Sequence, residues 1–210
     1  MSKWNYGDAY KRFPIPEDGW QFENGSFVKV HNIFDPLPDF MKQADLIFVD
    51  PPWNLRNLNT FYTKAERTDY QDNYTEFYKR LFECIKDIGP HTCYVEVGKQ
   101  YLAEFIMEMK AIFKHVTFYN SMYYHNKNNM CYVIVGSKKR KKKAPLDYMD
   151  EEDIIKWICE NEDYNCIGDL CMGRGLVGFH AFLNNKKFVG TELNGKRLSV
   201  LIERIYKEGQ

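Results

Sequence analysis

Ala44-Asp45-Leu46-Ile47-Phe48-Val49-Asp50-Pro51-Pro52-Trp53-Asn54 is the stretch from which the rest of the chain can be read. Leu46 to Val49 is an unbroken apolar run, the pattern of a short strand covered on both faces, and it stops at a carboxylate followed by two prolines. Proline has no backbone N–H, and Pro52 biases Pro51 toward extended backbone, so sheet pairing must end there. Asp50 and the carbonyls of Pro51 and Pro52 make a cluster of acceptors, and Trp53 sets a large flat ring beside it. The combination suits a planar heterocycle with an exocyclic amine, held by its face while its amine hydrogens are bonded. Over Asp-Pro-Pro alone, a capped strand end with a rigid turn would read the same way.

At 210 residues, 44% hydrophobic and 16% aromatic, the chain has enough apolar material for a single domain, 1–210, with a substantial core. A formal net charge of zero excludes a blanket polycation, so contact with nucleic acid would need a local patch. Lys138-Lys139-Arg140-Lys141-Lys142-Lys143 is the one dense charge run and could track phosphates; a solvated loop or an import signal are the other readings. No apolar run is long enough to cross a bilayer and the first ten residues carry no signal-peptide pattern, so a soluble, cytoplasmic protein without membrane association is expected. The six cysteines include no Cys-x-x-Cys pair and the five histidines are scattered, so no metal site is expected.

Residues 1–26 are rich in aromatics and turn formers and read as an arm packed over the domain. Strands are expected over 27–32, 46–50, 92–97, 116–123, 130–135, 166–171 and 188–192, with helices between most of them. Tyr74, Phe77, Tyr78, Leu81, Phe82, Ile85 and Ile88 repeat at helical spacing between a cap at Asp72 or Asn73 and a stop at Gly89-Pro90. Residues 125–129 read as a turn joining an antiparallel pair. Residues 54–73 read as a polar loop, longer than most connections, and with 138–150 form the candidate substrate loops. The pattern is an α/β domain of three layers around a mostly parallel seven-stranded sheet.

Asp169-Leu170-Cys171-Met172-Gly173-Arg174-Gly175-Leu176-Val177-Gly178 follows a strand and opens a helix, and Glu192 ends the next strand. Glycines there let backbone approach a ligand, and a carboxylate about 20 residues on can accept ribose hydroxyls, which points to a nucleoside cofactor. Gly173-x-Gly175-x-x-Gly178 also matches the dinucleotide fingerprint, but a dinucleotide domain needs further strand–helix units, and the sequence supplies one more strand and helix.

Asp50-Pro51-Pro52-Trp53 resembles the catalytic motif of the amino-methyltransferases that act on nucleic-acid bases, in the Asp form typical of adenine N6 enzymes. The Trp ending is most similar to the family that includes the eukaryotic messenger-RNA adenosine methyltransferase and its bacterial and phage relatives. The segment from Asp169 to Gly175 resembles the Asp-x-Phe-x-Gly-x-Gly motif of S-adenosylmethionine-dependent methyltransferases, departing from it at Leu170 and Cys171. The resemblance implies a Rossmann-like methyltransferase sheet, circularly permuted so that the catalytic motif precedes the cofactor motif, as in beta-type enzymes. Asp169, Glu192, Asn32 and Asp50 would then end neighbouring strands and share one crevice.

By the same resemblance Asp50, Pro51, Pro52 and Trp53 are the catalytic residues, with Asp50 and Pro51 bonding the amine and Trp53 stacking the base. S-adenosylmethionine is the implied cofactor, held by Asn32, Asp50, Asp169, Cys171, Gly173, Gly175, Glu192 and Asn194. Nucleic acid would be contacted by Asn54, Arg56 and the run from Lys138 to Lys143, with DNA favoured over RNA. No segment is left over for a recognition domain, so the target is very short or a second copy or partner subunit reads it. A non-catalytic nucleic-acid-binding subunit and a cytosine N4 methyltransferase are the alternatives; such subunits usually lose the Asp or a proline, and Ser usually replaces Asp in the cytosine enzymes.

Overall fold

Leu46, Ile47, Phe48 and Val49 are all fully buried, as a strand covered on both faces requires. The computed structural model describes residues 7–123 and 126–208. It contains strands β1 (Trp20–Gln21), β2 (Phe27–Val30), β3 (Leu46–Val49), β4 (Thr92–Val97), β5 (His115–Tyr123), β6 (Asn126–Ser137), β7 (Met149–Asp150), β8 (Cys166–Asp169) and β9 (Lys187–Glu192). Helices are α1 (Ala9–Arg12), α2 (Leu55–Lys64), α3 (Tyr74–Ile88), α4 (Leu102–Ile112), α5 (Glu151–Asn161), α6 (Leu176–Leu183) and α7 (Gly195–Glu208).

The strands form one sheet in the order β1-β2-β9-β8-β3-β4-β6-β5-β7. β2, β9, β8, β3 and β4 run parallel, and β6 is antiparallel to both β4 and β5. The sheet therefore has nine strands among the described residues where seven were expected; the added β1 and β7 are two-residue edge pairings, too short to leave a periodic signature.

Alternate strand residues face different helix layers. Ile47, Val49, Val95 and Ile134 pack with α3 and α4, while Leu46, Phe48, Tyr94 and Val133 pack with α5, α6 and α7. Each fully buried aliphatic or aromatic side chain contributes roughly 1.5–3 kcal/mol. α3 starts on the Asn73 cap, whose side chain accepts from Thr75 N, and ends at Gly89, which adopts the left-handed conformation (φ 69°). Helix and stop coincide with the sequence expectation.

Three local expectations need correction. Residues 55–64 are not loop but the helix α2, because Asn54 caps it by accepting from Asn57 N at 2.9 Å and Leu58 and Tyr62, four apart, are both buried. Residues 126–129 belong to β6, paired with β5 from Tyr123↔Asn126 onward, and the rest of that connection, 124–125, lies outside the described residues. The arm contributes α1 and β1: the Phe13 carbonyl accepts from Ser199 Oγ at 2.7 Å and Arg12 pairs with Glu203, which seats α1 on α7. Of the expected arm, residues 1–6 lie outside the described residues.

Candidate active site

The lateral order β2-β9-β8-β3 puts the carboxyl ends of four parallel strands side by side. Asn32, Glu192, Asp169 and Asp50 stand at or just beyond those ends, and all four line one cavity of about 340 Å³. That volume lies in the range of small-ligand sites, and the carboxyl end of an open parallel sheet is where ligands bind. Asp50 and Glu192, 142 positions apart in sequence, thus face the same space.

Glu192 is 5% exposed and fixed from three sides. Its Oε2 accepts from Gly173 N at 2.7 Å, its Oε1 accepts from Asn194 N at 3.0 Å, and the Arg197 guanidinium lies 3.7 Å from Oε2. Burial nevertheless raises its pKa, against the opposing pull of Arg197 and the backbone donors. The Leu193 N–H bears on it as well, and of a carboxylate's about four lone-pair sites only part is left for a ligand. Gly173 (φ 54°) and Gly175 (φ 79°) make the left-handed turns before α6, and a Cβ on Gly175 would lie 2.6 Å from Leu201 Cβ. Asp169, 4% exposed, accepts from Cys171 N at 2.9 Å and is held well above the usual carboxylate range by burial.

Asp50 Oδ1 accepts from Trp53 Nε1 at 2.8 Å. Burial pushes its pKa up to about 6, while the Trp53 bond and Arg197 pull it back. The acceptor cluster read from the sequence is therefore partly engaged inside the protein: the Pro52 carbonyl also accepts, from Tyr74 Oη at 2.5 Å. Trp53 is a support for Asp50 and sits beside the cavity wall, packed against Gly98 and edge-on to Tyr123 at 5.2 Å between ring centroids. Phe61, Tyr62 and Tyr123 are rings that do line the cavity.

Other assigned residues fall as follows. Cys171 and Gly173 line the cavity, and burial raises the Cys171 thiol pKa well above its ordinary value. The Asn32 side chain lines it too but already accepts from Tyr62 Oη at 3.1 Å and Phe34 N at 3.3 Å. Asn194 is not among the cavity-lining residues; its side chain accepts from Lys196 N at the start of α7 and donates to the Lys64 carbonyl at the end of α2. Asn54 caps α2 through its Oδ1, and Arg56 is exposed on the first turn of that helix.

The basic run lies elsewhere. Lys138 donates to the Gly89 carbonyl at 2.6 Å and Lys141 pairs with Glu162 and approaches Thr92, both at the amino end of β4, whereas Trp53 touches Gly98 past its carboxyl end. A six-residue strand is about 17 Å long, so the run emerges at the opposite end of the sheet from Asp50. β6 runs antiparallel to β4 and carries its following residues that way.

Several residues that the sequence did not single out complete the site. Glu151, first residue of α5, lines the cavity, and its pKa is raised by burial and then by Asp50, Glu96 and Asp169. Lys64 and Arg197 line it as well, Arg197 also lying over the Phe61 ring at 4.8 Å. Helical acids and cations next to apolar stripes carry no local mark of a site; their convergence is a product of topology. Among the described residues no group of three or more His, Cys, Asp or Glu could hold a metal ion, and no helix is long and apolar enough to cross a membrane.

No protein-family model and no curated protein matches this sequence. Solved structures do resemble it. The M1.HpyAVI–SAM complex superposes with a TM-score of 0.63 at 12% identity, covering 85% of this chain and 98% of that one. A Thermus thermophilus protein assigned as a DNA modification methylase, complexed with S-adenosyl-L-methionine, gives 0.60 at 12%, covering 86% and 93%. The cytosine-N4-specific PvuII DNA methyltransferase gives 0.57 at 11%, covering 93% and 95%. At such identities the likeness is one of fold: the mixed α/β architecture with a large, mostly parallel sheet is that of these proteins.

Proposed function

We propose that this chain transfers a methyl group from S-adenosylmethionine to the N6 amine of adenine in DNA. The observation that carries the reading is the charge of the crevice: Asp50, Glu151, Asp169 and Glu192 line one cavity. Burial raises the pKa of all four, acidic neighbours raise Glu151 and Asp169 further, and a cationic ligand favours their charged forms. S-adenosylmethionine carries both signs of charge, and its sulfonium and ammonium can face these acids while its carboxylate faces Lys64, Arg174 and Arg197, which line the same cavity. The structural likeness to two proteins solved with S-adenosylmethionine, and the strand order that brings the catalytic motif before the cofactor motif in the chain, support the same reading as a permuted methyltransferase sheet.

Glu192 would hold the ribose hydroxyls on its remaining lone pairs, the backbone at Gly173 and Gly175 would lie against the methionine portion, and Asp169 and Glu151 would face its ammonium. When bound, the cofactor supplies an electrophilic methyl group. Asp50, ionised above about pH 6, accepts one amine hydrogen and the Pro51 carbonyl the other. Both bonds favour the geometry in which the nitrogen lone pair points away from the ring plane, and positioning of this kind accounts for most of the rate. Asp50 then takes the proton that the methylated amine sheds, and passes it to solvent. The base must be single-stranded or flipped to enter.

Incubation with labelled S-adenosylmethionine and DNA or RNA, beside Asp50→Ala, followed by nucleoside analysis, tests the reading. Label in N6-methyldeoxyadenosine, lost in Asp50→Ala, is expected. Label in N4-methylcytosine or in RNA alone would reassign the substrate, and tight cofactor binding without transfer would favour a binding subunit.

A further inference from the structure

β3 and β4 pair in parallel with Phe48↔Tyr94 and Val49↔Val95, so the next step of the register sets Asp50 beside Glu96. Residues 46, 48 and 50 share a face with 94 and 96, the face covered by α5. Glu96 is fully buried. Its Oε1 accepts from Cys131 Sγ at 3.0 Å, and its Oε2 is the one buried carboxylate oxygen among the described residues without a partner.

The groups bearing on it from each neighbouring element are Asp50 from β3, Cys131 from β6, and Asp150 and Glu151 from the start of α5. Apart from the thiol these are acids. An orphan carboxylate oxygen amid acceptors costs free energy, while the same oxygen carrying a proton becomes a donor in that neighbourhood. Of two carboxyls side by side on adjacent strands, the one sealed from solvent keeps the proton and the one open to the crevice ionises. Burial, then Asp50, raise the pKa of Glu96 well above the usual range.

We infer that Glu96 is a positioning residue for Asp50, an uncharged carboxylic acid whose proton sits on Oε2 and which leaves Asp50 as the ionised member of the pair. The inference rests on Asp50 being the acceptor proposed above. The bland alternative is a buried polar residue with no influence on Asp50.

Two measurements on the full chain decide it. Infrared difference spectra at pH 7.5 between the unaltered chain and Glu96→Gln should show loss of a carboxylic-acid C=O band; loss of a carboxylate band instead overturns the inference. The acid limb of the kcat/KM profile should stay in place in Glu96→Gln, which keeps a neutral polar group, and move up by about one unit in Glu96→Leu, a tenfold loss at low pH. A limb that moves down in Glu96→Gln would show Glu96 to be ionised, and a limb unmoved in Glu96→Leu would show it to be merely structural; either result sinks the inference. The infrared measurement needs no turnover, so it decides the protonation state even if methyl transfer itself is never seen, and Glu96→Ala serves for it if the glutamine variant does not fold.

Discussion

Asp50 illustrates how one side chain can be poised for chemistry at a cost to stability. Its pKa in the folded protein, about 6, lies above the usual carboxylate value, so the folded state binds more protons than the unfolded one between about pH 4 and 6. Stability from this group is present below about pH 4 and falls as pH rises through 6. Asp50→Asn is therefore expected to raise the midpoint of thermal unfolding at pH 8 but not at pH 4, while lowering kcat at least ~100-fold; calorimetry and transfer rates on the same samples check both signs. At Gly98, a Cβ would lie 2.9 Å from the Trp53 ring. Gly98→Ala should shift that indole and the bond it makes to Asp50, lowering kcat more than it raises the cofactor KM. Asp50 and Glu192 are legible in the sequence because each ends an apolar strand, which leaves a buried run pointing at a polar terminus. Glu151, Arg197 and Glu96 are not, since an acid at a helix start, a cation on a helix and a lone acid in a buried strand look the same whether or not topology carries them to a cavity.

Elements explain what composition conceals. α2 reads as loop in the sequence because most of its residues are polar, and its signal is only the buried pair Leu58 and Tyr62 behind the Asn54 cap. The helix closes one side of the cavity with Leu58, Phe61, Tyr62 and Lys64, and it is tied to the segments after β2 and β9 through Tyr62 to Asn32 and Lys64 to Asn194. Tyr62→Phe removes the hydroxyl without changing the fold of the helix, and is expected to weaken cofactor binding severalfold, about 1 kcal/mol for one hydrogen bond, measured by equilibrium dialysis with labelled S-adenosylmethionine. By contrast α3 can be read to the residue, because an amphipathic repeat of 15 residues between an Asn cap and a left-handed glycine is specified at every level.

Across the sheet as a whole, the exposed basic run is separated from the cavity, whose acids share its wall with Lys64, Arg174 and Arg197. The acids converge at the carboxyl ends of the strands, and the exposed cations Lys138, Lys139, Arg140, Lys142 and Lys143 gather at the other end of the sheet. Replacing those five by Gln should leave the single-turnover rate at saturating DNA unchanged, because none of them lines the crevice; a rate that falls with them would mean the target strand wraps the molecule. The strand order, with β2 and β9 from distant parts of the chain paired at Val30↔Glu192, can be anticipated from which motif comes first. The two-residue edge strands cannot, because two residues carry no period.

Whether the crevice accepts a cationic nucleoside donor is decided by calorimetric titration of the full chain with S-adenosylmethionine and, separately, with NAD. One saturable site for S-adenosylmethionine is expected, lost in Glu192→Ala and tighter at pH 7.5 than at pH 5.5 as the crevice acids ionise, with no heat of binding from NAD. Binding of NAD that Glu192→Ala abolishes, or no binding of S-adenosylmethionine at either pH, would contradict it.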